Sequence, residues 1–266
     1  YMQIIEHFPT GGGGYVVASK LLGSGAGVVA GSALVVDYVL PISISVAAAV
    51  KALYSPWPGM PAWERLLTGM LLIAVLILLN LRGVKESITV LTPIFLLFLV
   101  THALLIGAAI GSNIQQIQPT LVANAQALAG HGASWAGLFA LTAVFLRAYS
   151  IGGSSFTGIE AVSNSVSVLR EPLVETGKKT MRYMALSLSL AVAGLLIAYL
   201  LVDLKPVEGK TFNAVLAERV MGAWQWGALP VGKILVLMTM FSAAALLLVA
   251  AQTGFLGGPG VLGSMA

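Results

Sequence analysis

The side chains best placed to do chemistry in this chain are carboxylates set inside apolar runs. Asp37 opens the stretch DYVLPISIS, twelve residues into an apolar segment at about 25–53. A carboxylate that deep in a bilayer costs roughly 2.5–3.5 kcal/mol on insertion scales, so such residues face a bundle interior where something offsets the cost. Pro41 follows four residues later. Proline has no N–H, and its ring pushes aside the carbonyl four residues back, which here is that of Asp37. Position 37 would thus offer a carboxylate and a freed main-chain oxygen at one depth. Tyr38 flanks it, and Ser45, at i+8, lies on roughly the same face. Oxygen ligands beside a negative charge suit a hard monovalent cation or an ammonium group. In the plainer alternative, Asp37 pairs with Arg147 and pins two helices together.

A second polar spot stands in SIGGSSFTGIEAVSNSV, inside an apolar segment of about 34 residues at 135–168. Gly152, Gly153, Ser154 and Ser155 favour an opened helix, because glycine raises the cost of staying helical and serine offers the backbone other partners. Unwound backbone at membrane depth is tolerated only where protein or a watery cavity surrounds it. In transporters such breaks mark the solute site. Thr157, Glu160 and Asn164 follow on one face of the second half. Thr157-Gly-Ile-Glu160 also fits the capping box that starts a helix. Glu160 is a proton-coupling candidate, since burial raises a carboxylate pKa.

The elements that must position these groups follow from composition. Of 266 residues, 58% are hydrophobic and 9% charged, against roughly 25% charged in soluble proteins. Mean hydropathy is +0.94. A bilayer core needs about 20 apolar residues per helix, and six segments qualify: about 25–53, 64–81, 88–111, 135–168, 183–204 and 228–252. None alternates with a two-residue period, which disfavours a barrel. With no cysteine and three scattered histidines, disulfides, thiolate metal sites and cysteine nucleophiles are excluded and a metal cage is disfavoured. The net charge of +4 fits basic membrane loops, not a nucleic-acid face.

Seven basic residues, among them Lys20, Arg82, Arg170, Lys178, Lys179 and Arg182, fall on one side of the spans, and five fall on the other. The dense loops LRGVKES and REPLVETGKKTMR place residues 10–24, 82–87 and 169–182 in the cytoplasm. Trp57, Trp63, Trp224 and Trp226 suit the membrane interface, and residues 112–133 read as an outer loop with a short surface helix. His102 reads as a hydrogen-bonded core histidine, Lys233 as snorkelling outward, and Arg147 as a buried group with an acidic partner. Gly11 to Gly14 is no phosphate loop, since no Lys-Ser/Thr pair follows. The opening YMQIIEHFPT lacks the basic start and apolar core of a signal peptide. With the apolar closing stretch, it leads us to expect an internal fragment of a longer protein.

Five pieces, QIIEHFPTGGGGYVVASKLLG, DYVLPISIS, LNLRGVKES, SFTGIEAVSN and AAQTGFLGGPGVL, together resemble the amino acid–polyamine–organocation (APC) superfamily of permeases, most closely its branch of KUP-like potassium–proton symporters. The resemblance runs over nearly the whole chain. It implies an all-α integral membrane domain over 1–266, a partial five-plus-five inverted-repeat transporter fold with a discontinuous helix, running from the end of helix 2 to just past helix 8. It carries the cation site onto Asp37, Tyr38, Thr157 and Glu160, with Ser45 a further candidate; Pro41 departs from the hydroxyl residue usual in that branch. The expectation is a secondary active transporter in a bacterial or archaeal inner membrane, with no enzyme chemistry and no resident cofactor. It would bind K+, Na+ or a coupling H+, with potassium the favoured cargo. The alternatives are an amino acid permease and, less favoured, a passive channel. Expected partners are the lipid bilayer and the transported solute, with a homodimer admitted and nucleic acid excluded.

Overall fold

The computed structural model describes every residue except 9–12, 83–87, 154–156, 165, 167–168 and 266. The described residues form eleven α-helices and a 3-10 turn. In order these are α1 (Met2–His7), α2 (Gly13–Leu22), α3 (Ser24–Tyr54), α4 (Ala62–Leu81), α5 (Ile88–Ser112), the turn Ile114–Gln116, α6 (Ile117–Gly132), α7 (Trp135–Gly152), α8 (Thr157–Asn164), α9 (Leu173–Leu201), α10 (Phe212–Met221) and α11 (Val231–Met265). Six helices are long and apolar enough to cross a membrane: α3, α4, α5 from Leu91, α7, α9, and α11 as far as Phe255. The chain is a multi-pass membrane protein.

The axis of the bundle is the pair α3–α11. Small and β-branched side chains let the two helices approach closely, as membrane packing requires where no hydrophobic force separates helix from lipid. Ala49, Ala52 and Ala244 form one buried patch there, and Val46, Val50 and Ala251 form another that Leu72, Ile73 and Leu76 of α4 cover. Near the residue-54 end of α3, Leu105 and Ala109 of α5, Ala198 of α9, Leu216, Ala217 and Met221 of α10 and Val236 of α11 make a third cluster. At the opposite end, Ile5 of α1, Met181 of α9 and Val166, which lies between α8 and α9, pack together.

The α3, α4 and α5 segments fall within a residue or two of the expected ones; others differ, each for a physical reason. The α9 helix begins at Leu173, ten residues before the expected 183. Pro172 precedes its first turn, and the basic run 178–182 rides on a helix reaching past the hydrocarbon instead of on a loop. The α11 helix continues thirteen residues beyond 252, through a glycine-rich stretch that packing against α3 keeps helical. Residues 13–22, expected within a cytoplasmic loop, form α2 against α3. The 112–133 stretch is helical over Ile117–Gly132. Arg147 lies exposed on α7, and no described side chain forms an ion pair with it, so the Asp37–Arg147 pin is absent.

Candidate functional site between α3, α11 and α8

Asp37 sits thirteen residues into the 31-residue α3, about 20 Å along a helix about 46 Å long. Its side chain is half-buried, and no described lysine, arginine or histidine pairs with it. Pro41 lies within the continuous helix one turn on, where it has no N–H to return to the Asp37 carbonyl. Ser45 is half-buried further along the same helix.

Tyr38 is turned into the α3–α11 seam and is 4% exposed. Its seat is made by glycines. A Cβ on Gly257 would lie 2.5 Å from Tyr38 Cε1 and 2.7 Å from Cζ, and one on Gly254 would lie 2.6 Å from the Tyr38 carbonyl oxygen. Backbone of α11 therefore replaces side chain at this level, and the ring lies directly on it. Tyr38 holds the depth and rotation of α3 on α11, while Asp37, one residue back, leaves the seam at the edge of the same contact. The run AAQTGFLGGPGVL does not by itself show this task of its glycines, which depends on the ring laid against them.

Of the break expected at 152–155, the structure describes the end of α7 at Gly152, and α8 starts at Thr157. Gly153 adds one 3-10 residue to α7. Ser154 and Ser155 lie outside the described residues, as do the side chains of Thr157, Glu160 and Asn164. With eight residues, about 12 Å, α8 is too short to cross a bilayer alone. It packs on α9, α11, α2 and α1; α3 packs on α11 and α2. Helices α3 and α8 therefore share two neighbours.

Other polar groups fix this frame. Asn80 of α4 and Gln252 of α11 exchange two hydrogen bonds: Asn80 Nδ2 donates to Gln252 Oε1 at 2.9 Å, and Gln252 Nε2 donates to Asn80 Oδ1 at 3.0 Å. At the residue-54 end of α3, buried Ser55 Oγ accepts from the Thr211 N–H at 3.0 Å and donates to the Lys51 carbonyl at 2.7 Å. Thr211 Oγ1 caps α10 by accepting from the Ala214 N–H at 3.2 Å. His102 is a buried histidine whose Nδ1 lies 3.0 Å from the Phe98 carbonyl oxygen, as its sequence context suggests. Lys233, exposed, lines a hollow of 440 Å³ with Glu218, Trp57 and Pro56. Trp57, Trp63 and Trp226 are 55%, 64% and 80% exposed, as interface anchors would be.

Comparison with known proteins bears on what this frame is. The potassium transporter KimA of Bacillus subtilis (strain 168) is 31% identical over 223 residues, which are 84% of this chain and 35% of KimA. The chain thus spans about a third of the length of that curated relative. A family model described as amino acid permease matches residues 1–266. On that match the chain belongs to the amino acid permease family of the APC superfamily.

Proposed function

We propose that the protein is part of a secondary active transporter that binds a small cation, potassium first, against Asp37 near the bilayer midplane. The observation that carries this reading is Asp37 itself, a half-buried carboxylate far from either helix end with no described cationic partner. A charge kept there without a protein counter-ion calls for one from outside. Pro41 adds a main-chain oxygen, and Ser45 and Tyr38 add hydroxyl groups of the kind that replace a monovalent ion's hydration shell. Thr157 and Glu160, at the start of α8, would close the site from the broken helix, with Glu160 exchanging the coupling proton. The name of the relative, a potassium transporter, supports the choice of ion.

A second reading is favoured by the description of the family, amino acid permease. The same carboxylate would then hold the ammonium group of an amino acid. Uptake of 86Rb+ and of a panel of labelled amino acids by the full-length protein in proteoliposomes separates the two. The potassium reading expects 86Rb+ uptake that excess K+ suppresses and amino acids do not. In Asp37→Asn, apparent affinity should fall about ten- to a hundredfold, the worth of a contact to a charged group. Full 86Rb+ uptake by Asp37→Asn would remove the site, and counterflow without acceleration by internal substrate would remove the carrier mechanism. Under proton coupling, Glu160→Gln flattens the pH dependence of uptake.

A further inference from the structure

A second site stands where α9 enters the membrane, at the end of the bundle that carries the denser basic residues. Glu175, Lys178, Lys179, Arg182 and Tyr183 line an open cavity of 390 Å³ there. Lys178 is tied to Glu6 of α1. Neither Lys179 nor Arg182 has an ion pair among the described residues, and the Lys179 ammonium stands 5.8 Å from the centroid of the Tyr183 ring. Two basic groups one turn apart on a helix face thus stand without an ion-pair partner among the described residues.

What lies below them on the helix identifies the occupant. Tyr183, Leu186 and Leu190 follow Lys179 at spacings of four, three and four, which is one face of a helix. They are 62%, 60% and 66% exposed. A cationic rim, an aromatic ring and then a mainly apolar stripe, with exposed Ser187 beside it, match, in order, a phosphate, a glycerol backbone and an acyl chain. A soluble anion would use the rim alone and leave the stripe unexplained.

We propose that Lys179 and Arg182 bind the headgroup phosphate of an anionic phospholipid, whose acyl chain runs along Tyr183, Leu186 and Leu190. Lys178 is the lesser contributor because Glu6 already neutralises it. Glu175, on the rim one turn before Lys179, opposes the phosphate and sets an upper limit to the affinity.

The test is native mass spectrometry of the full-length protein after exchange into mixed micelles of phosphatidylglycerol and phosphatidylcholine. Phosphatidylglycerol should be retained preferentially. K179Q/R182Q should weaken retention about thirty-fold, from the usual worth of a basic residue beside an anionic surface. E175Q, which folds under the same constraints, should strengthen it about fivefold by the same reasoning. K205Q/K233Q, the same charge loss at the other end of the bundle, should leave it unchanged. Equal loss in both double variants, or equal retention of the two lipids, would overturn the proposal. Displacement of the bound lipid by millimolar inorganic phosphate would also overturn it, reducing the site to a soluble-anion site.

Discussion

The seat of Tyr38 on α11 can be tested with a single methyl group. Gly257→Ala places a Cβ 2.5 Å from Tyr38 Cε1, whereas carbon atoms in contact prefer about 3.5–4.0 Å. The ring or the helix must then yield by about 1–1.5 Å. Neighbouring glycines leave the ring little room, because Gly254 stands against the Tyr38 carbonyl and Ile42. Overpacking of this kind costs about 1–3 kcal/mol. Tyr38→Ala alone removes a buried ring and costs about 3–5 kcal/mol by comparison with aromatic deletions elsewhere. In the double variant the methyl group occupies the space the ring has left, so the Gly257→Ala penalty vanishes. Unfolding of the detergent-solubilised full-length protein, followed by helical signal against denaturant, gives the three free energies. The expected coupling is about 1–3 kcal/mol in the rescuing direction. Additive single effects, or a Gly257→Ala variant as stable as the parent, would refute the ring-on-backbone contact.

Two further outcomes follow from the polar clasps. Asn80→Leu leaves the buried amide of Gln252 without its partner and should destabilise by about 1–3 kcal/mol; adding Gln252→Leu should recover part of that loss, measured by the same unfolding. Ser55→Ala removes the acceptor of the Thr211 N–H and should cost about 1 kcal/mol, with hydrogen exchange accelerating in α10 before it does in α11.

The long spans were legible because their information is one-dimensional. Long, mainly apolar runs gave α3 as 25–53 against Ser24–Tyr54, and α4 as 64–81 against Ala62–Leu81. The end of α7 was legible for the same reason, since Gly152 and Gly153 act on their own backbone. What escaped depends on neighbours. The glycine-rich end of α11 reads as a loop until α3 is laid against it. Arg147 reads as an intramembrane charge in need of an acid, yet it lies on an exposed face of α7. The seat of the Tyr38 ring on α11 was not legible beside Asp37, because it depends on glycines of a helix far along the chain.

The exchange between Asn80 and Gln252 bears on how α4 behaves when the protein works. No described residue of α4 is fully buried, and most of its surface faces outward. It leans on α3 through Leu72, Ile73 and Leu76 and through the Tyr54–Thr68 hydrogen bond of 2.8 Å. Rolling by even a fraction of a turn would part both amide bonds together, so α4 is an outrigger pinned to α3 near one end and to α11 near the other.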